Sequence, residues 1–290
     1  MGRFVWIGGK SMRKAILSLN ILLYVALGGY MALKPAEAVA TSLTPLLTAL
    51  SPTYPLTRCS YGEREYYYNG DSLIVSGKDT VRLSPPPPPG KYNFLVGCND
   101  GFFVVEWYRR RVRYYSPDGA MKVKFLIRSD HTQPLQIFRY GDRILMNAST
   151  PRLKRRARTL NSGYYVQIYT LDGIYERSAF PMPEEVDRLG YNDTYTLMYL
   201  KGDTLYYAFH FYPCVFKLKV PEVKPVGKSC GLFPMPKAGK ITWVKRGRDS
   251  IPRWPEYPDS LPAIVDLYEK AGKMYVKVSD GREVKEVPVR

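Results

Sequence analysis

Tyr114-Tyr115-Ser116-Pro117-Asp118-Gly119-Ala120-Met121-Lys122-Val123-Lys124-Phe125 is the stretch whose reading decides the fold. Met121, Val123 and Phe125 alternate with Lys122 and Lys124, the period of two that marks a half-buried strand. Ser116 to Gly119 is a turn with a mechanism: proline presets φ, and glycine accepts the positive φ that reverses the chain. The same unit returns at residues 165–180, turning at Thr170-Leu171-Asp172-Gly173, and at residues 276–287, turning at Val278-Ser279-Asp280-Gly281. A hairpin used repeatedly points to an array of sheets.

Working outward, strands are expected at 63–68 and 73–75, at 92–96, 102–107, 112–115 and 121–127, and at 135–138, 144–147, 164–169 and 174–180. A further set falls at 195–200, 205–211, 215–220 and 226–232, and the carboxyl end supplies 263–268, 274–278 and 283–289. Only 183–189 reads as helix, a short connector opened by Pro183 with Glu184 and Glu185 in its first turn. Glycine-bearing turns precede apolar strands at Gly70, Gly101, Gly141, Gly202, Gly239 and Gly272, which predicts six sheets. The expected fold is all-β, a β-propeller of six blades with five or seven as neighbouring solutions. If its ring closes by sharing a strand, residues 63–68 complete the sheet that ends at Val289. The run Pro85 to Pro89 reads as a stiff surface spacer between two sheets.

Composition agrees. The 290 residues are 45% hydrophobic, enough for a core, and the 25 tyrosines suit pleated, half-buried surfaces. At the amino end, Met12-Arg13-Lys14 leads into an apolar run from Ala15 to Leu33, followed by Ala36-Glu37-Ala38. Basic, apolar and small-residue regions in that order are a secretory signal, and the run also approaches the length of a membrane anchor. Residues 1–38 are therefore assigned as signal peptide or anchor, 39–58 as a linker and 59–290 as the propeller. The expected location is extracytoplasmic: periplasm, cell surface or secreted.

The motif Tyr-x-x-Asp-Gly at residues 115–119 and 169–173, with a weaker copy at 277–281, resembles the outer hairpin of secreted bacterial six-bladed propellers, including the NHL-like group. The resemblance covers about residues 60–290. It implies a ring of blades whose functional groups come from different blades around a central channel.

Four cysteines, Cys59, Cys98, Cys214 and Cys230, allow three pairings. Cys214 and Cys230 stand equidistant from Glu222, the centre of an expected hairpin, so the pairing favoured is Cys214 with Cys230 and Cys59 with Cys98. Neither Cys-x-x-Cys nor a histidine at ligand spacing is present, so no metal and no cofactor are expected. Gly227-Lys228-Ser229-Cys230-Gly231 matches a nucleophile elbow, but the prolines that follow cannot start the helix an elbow needs. His131 reads as a turn residue, and His210, in an aromatic strand, as a packed ring. Asn147 and Asn192 each head a glycosylation sequon.

The formal net charge of +17 is concentrated in clusters. Arg109, Arg110, Arg111 and Arg113 lie beside Trp107, Tyr108, Tyr114 and Tyr115. Lys154, Arg155, Arg156 and Arg158 crowd one loop with Arg152, and Arg246 and Arg248 precede Trp254. Guanidinium forks pair bidentately with phosphate or carboxylate, and rings beside them stack on sugars. In an exported chain these residues point to an envelope protein or an anionic polymer rather than nucleic acid, with membrane contact through the amino-terminal segment if it is retained. The expectation is a non-enzymatic binding or scaffold protein. The alternative is a hydrolase or lyase acting on a carbohydrate or lactone at the channel.

Overall fold

Alternating apolar residues punctuated by glycine turns leave each strand one easy partner, the strand just before it. The result is a series of antiparallel meanders, described in a computed structural model for residues 58–70, 72–89, 93–127, 133–149, 164–191, 196–240, 242–246, 249–253, 255, 258 and 261–290. Residues 1–57, which carry the assigned signal and nearly all of the linker, lie outside the described residues.

Blade one is β1 (Arg58–Tyr61), β2 (Arg64–Tyr68), β3 (Leu73–Ser76) and β4 (Asp79–Arg82). Blade two is β5 (Asn93–Gly97), β6 (Phe102–Glu106), β7 (Arg111–Tyr115) and β8 (Met121–Leu126). Blade three is β9 (Gln133–Tyr140), β10 (Arg143–Ser149), β11 (Tyr164–Thr170) and β12 (Tyr175–Pro181). A one-turn helix, α1 (Glu184–Asp187), leads to blade four: β13 (Thr196–Lys201), β14 (Thr204–Phe209), β15 (Cys214–Lys219) and β16 (Lys224–Cys230). After a separate hairpin, β17 (Thr242–Arg246) and β18 (Asp249–Arg253), comes blade five: β19 (Ala263–Lys270), β20 (Lys273–Ser279) and β21 (Val284–Pro288). The first strand of each blade lies innermost, and β1, β5, β9, β13 and β19 neighbour one another in that order and close back on β1.

The ring therefore has five blades rather than the expected six. Gly239, taken as a turn glycine, sits in an extended connector, where its N–H donates to the carbonyl of Leu189 at 2.7 Å. The hairpin after it is a two-stranded insert outside the ring. Residues 63–68 do not complete the last sheet either. They form β2, held between β1 and β3 in blade one.

Burial follows the stacking of blades. Every residue of β5 and β6 is buried, which erases the alternation expected of a sheet with one wet face. The two sides of β6 face different neighbours: Phe102 and Val104 join Tyr68, Ile74 and Leu83 of blade one, whereas Phe103 and Val105 join Ile137, Ile144 and Tyr169 of blade three. The outermost strand β8 has one wet side, and there Val123 and Phe125 turn inward while Lys122, Lys124 and Leu126 stand exposed.

The Ser-Pro-Asp-Gly turn behaves as its sequence dictates. The Gly119 N–H donates to Ser116 O at 2.8 Å with φ +86°. Gly173 (φ +79°) closes the equivalent turn of blade three, so tightly that a Cβ there would stand 2.4 Å from Cβ of Phe125.

Polar latches join the blades. Asn99 donates from Nδ2 to Arg139 O (2.6 Å) and accepts from Arg139 N–H (2.8 Å), tying blade two to three. Asn147, fully buried, donates to Thr196 O (3.1 Å) and accepts from Thr196 Oγ1 (3.0 Å) and Tyr207 OH (2.9 Å), tying three to four. With both ends of its amide engaged, Asn147 is not presented for glycosylation. Cys59–Cys98 joins blade one to two, and Cys214–Cys230 bridges directly opposed residues of β15 and β16, the pairing that the hairpin's symmetry favours. Pro85 to Pro89 spans blades one and two, accepting from Tyr115 OH at Pro85 O (3.0 Å) and from Asn93 at Pro88 O (2.8 Å).

Candidate functional site

Because each blade is an antiparallel meander entered at its inner strand, alternation sorts the connections onto two rims of the ring. The first-to-second and third-to-fourth strand turns lie on one rim, and all of them are short. The second-to-third turns and the links between blades lie on the other. The segment containing Arg109 and Arg110 joins β6 to β7 and belongs to this second rim. The segment from 150 to 163 joins β10 to β11, and the β17–β18 hairpin is inserted between blades four and five, so both leave from the second rim as well. Sequence distance separates the three basic clusters, and topology gathers their anchor points.

Side chains are described only for the first cluster. Trp107–Arg109 is a single 3-10 turn, closed by Arg110 in the left-handed conformation at φ 47°. At its base lies Glu106, 3% exposed, whose Oε1 accepts from Nε of Arg113. Glu106 Oε2, which accepts no hydrogen bond, lies 3.7 Å from Nη1 of Arg109 and 3.9 Å from Nη1 of Arg111. One buried carboxylate thus holds three guanidinium groups. Arg113 is itself buried, with Nη1 at 3.3 Å from Met121 Sδ, so it is not a ligand-facing residue as the sequence suggested. Arg109 and Arg110 are exposed and Arg111 is half-buried. Trp107 packs edge-on against Phe94 (5.8 Å between centroids), and Tyr108 stands 73% exposed.

Lys154, Arg155, Arg156, Arg158, Arg248 and Trp254 lie outside the described residues, and Arg246 is described only as backbone of β17. His131 is also outside them.

Sequence reasoning missed the apolar partners of this rim. Among the described residues, every exposed large hydrophobic side chain except Ile174 and Val226 belongs to it: Tyr108, Leu126, Tyr164, Met235, Trp243, Val244 and Val284. Leu126 pairs in register with Arg111, and the next N–H, of Ile127, donates to Arg110 O at 2.9 Å, so leucine and arginines share one edge. The available signal was Phe125-Leu126-Ile127, three apolar residues in succession after a stretch that alternates.

The other rim carries ion pairs between strand ends and turns. Asp203 meets Lys219, Lys201 meets Glu269 at 3.0 Å, and Arg143 meets Glu176 at 2.9 Å. Asp203 and Lys219 stabilise each other's charged forms, holding the carboxyl below and the ammonium above their ordinary ranges, chiefly through the hydrogen bond between them.

Across the axis, Tyr61 of β1 meets Phe138 of β9 and Tyr199 of β13, with centroids 6.4 and 6.0 Å away. These strands belong to blades one, three and four, so the trio meets across the channel where β1 ends. Tyr199 OH accepts from Gly62 N–H at 3.0 Å, and burial pushes its phenol up to about 12. His210 is a latch: its Nδ1 lies 2.9 Å from Ile264 O, and Ile264 N–H donates to His210 O at 2.8 Å. Ser229, beside a cleft of about 440 Å³ at the seam of β16 and β21, accepts from Arg290 N–H at 3.0 Å. It lies on a strand that continues into an extended connector, not on an elbow.

Two disulfides are the covalent chemistry of an oxidising, extracytoplasmic compartment. Among the described residues no helix is long and apolar enough to cross a membrane. No family model matches the sequence, and no curated protein matches it. Among solved structures, the chain is similar to a protein of unknown function from Bacteroides caccae, at 12% identity and TM-score 0.41, covering 73% of this chain and 66% of that one. It is also similar to a streptogramin B lyase (13%, TM-score 0.42, 82% and 85%) and to BamB from Moraxella catarrhalis (9%, TM-score 0.40, 81% and 63%). None of these likenesses assigns a role to a residue of this chain.

Proposed function

We propose that this protein is an exported, non-enzymatic β-propeller of the cell envelope that binds an acidic partner, a protein or an anionic polymer, through one rim of its ring. The observation that carries this reading is the topology of the ring, which sets Arg109 and Arg110, and the strand ends from which the other two basic segments leave, at the rim with long connections. Glu106 supports it further, because a carboxylate holding Arg109 and Arg111 from beneath pre-orients their guanidinium groups for an incoming anion. The alternative, a hydrolase or lyase, would need its acid and base at the channel. The aromatic trio of Tyr61, Phe138 and Tyr199 standing there favours binding instead.

Titration of the protein with soluble polyglutamate over a range of salt concentrations tests the reading. Wild type is expected to bind with an affinity that falls as salt rises, and Arg155→Glu with Arg156→Glu to weaken binding without changing the thermal midpoint. An unchanged affinity and salt slope in that variant would remove the loop from the site. No binding by wild type would remove the reading.

A further inference from the structure

The polar half of the rim explains attraction to acids, but not why its arginines stand among exposed apolar side chains. A surface built only for a hydrated polyanion has no use for Leu126 at 61% exposure or Tyr108 at 73% beside Arg109, Arg110 and Arg111. The inserted hairpin repeats the combination. Thr242, Trp243, Val244 and Lys245 are all exposed, so β17 shows apolar and polar groups on both of its sides. Exposed aromatic and aliphatic groups interleaved with arginine are what an anionic bilayer surface selects. The rings and leucine enter the headgroup boundary, and the guanidinium groups pair with lipid phosphates. Direction of the chain agrees, since β1 starts at this rim and the polypeptide joins the propeller there, downstream of the apolar run from Ala15 to Leu33.

We infer that this rim docks the propeller onto an anionic phospholipid bilayer, with Tyr108, Leu126 and Trp243 at the headgroup boundary and Arg109 and Arg110 on lipid phosphates. The inference rests on the binding reading above for its basic rim, and puts an anionic lipid surface in the place of the protein or polymer. It also orients the molecule, with the rim of short turns facing away from the lipid.

All four native cysteines are in disulfides, so a new cysteine can be labelled alone. The full chain carrying Leu126→Cys, and separately Lys78→Cys in the exposed turn of the opposite rim, is tagged with a fluorophore. Each is mixed with vesicles containing doxyl-labelled lipid, either with phosphatidylglycerol or of phosphatidylcholine alone. Quenching is expected at position 126 and not at 78, more strongly with phosphatidylglycerol. Arg109→Gln with Arg110→Asn, the asparagine chosen because it tolerates the left-handed backbone, should cut the preference for anionic vesicles roughly 20- to 30-fold. A Tyr108→Cys label serves as a second reporter. Equal quenching at 126 and 78, or equal quenching at 126 in both lipids, overturns the inference. Binding to polyglutamate without quenching at 126 or 108 overturns the membrane assignment and leaves the binding reading standing. Failure of both polyglutamate binding and quenching removes both.

Discussion

Replacing Glu106 with alanine is the sharpest perturbation of this fold. The carboxylate is 3% exposed and its partner Arg113 is 8% exposed at the side chain, so removing one charge strands the other between blades. Breaking a buried pair from one side costs about 3–5 kcal/mol, because the remaining charge keeps its desolvation penalty and loses its compensation. Arg109 and Arg111, at 3.7 and 3.9 Å, lose the same counter-charge but reach water and add little. With a urea m-value on the order of 3 kcal/mol/M, a cost of about 4 kcal/mol lowers the midpoint by roughly 1.3 M. The decisive comparison is the double variant Glu106→Met with Arg113→Met, read by urea unfolding followed by near-UV circular dichroism. If the pair is a buried charge couple, removing both members should recover most of the loss, giving a coupling of about 2–3 kcal/mol. Additive costs would show that the two residues act through packing alone, and the account of Glu106 as the organiser of the arginines would fall with the couple.

Reducing or replacing the disulfides should be graded by the chain each one closes. Cysteines 39 residues apart predict about 4 kcal/mol for Cys59–Cys98, and 16 residues apart about 3 kcal/mol for Cys214–Cys230, measured by urea unfolding of the paired serine variants. Gly173→Ala should cost more than about 2 kcal/mol, since both its φ and the contact with Phe125 oppose a Cβ. Gly141→Ala, at φ +57° with open space around it, should cost only about 1 kcal/mol, and equal thermal shifts for the two would refute the steric part. Tyr115 and Tyr199 are both pushed up to about 12 by burial, above the ordinary 10. Their neutral forms therefore stabilise the fold fully below pH 10, and that contribution is lost as pH rises from 10 through 12. A phenolate titration should show these two ionising after the exposed tyrosines or only on unfolding, whereas their ionisation with the exposed tyrosines would contradict the packing.

Much of the ring is legible in the sequence, and the gaps have physical causes. Interior strands such as Phe102–Glu106 and Thr196–Lys201 are apolar enough to declare themselves. By contrast β4, Asp-Thr-Val-Arg, lies at the outer edge with three of its four residues exposed, and it carries no apolar run to detect. β18 holds Pro252, tolerable only where a two-stranded hairpin leaves an edge unpaired, so the segment reads as an insert without structure. The sequence predicts one blade too many because turn glycines and connector glycines are indistinguishable without their hydrogen bonds. At the site, four arginines between residues 109 and 113 read as one exposed patch. Stacking between blades buries both sides of β7 after its first residue, and that draws Arg113 inward onto Glu106. The exposed apolar side chains form no run in the sequence because they are scattered over blades two, three and five and the connection between blades four and five.

The position of Cys59 has a mechanical consequence. It is the second residue of β1, and its bond to Cys98 encloses β2, β3, β4 and β5 in a covalent loop. Tension applied through the polypeptide before Arg58 passes across the disulfide into the turn after β5 and bypasses the first blade altogether. Under load the oxidised ring should yield from blade two onward, giving an extension shorter by the enclosed residues than the reduced ring, in which blade one takes the strain. A propeller pulled through its leading segment is thereby protected at its first blade.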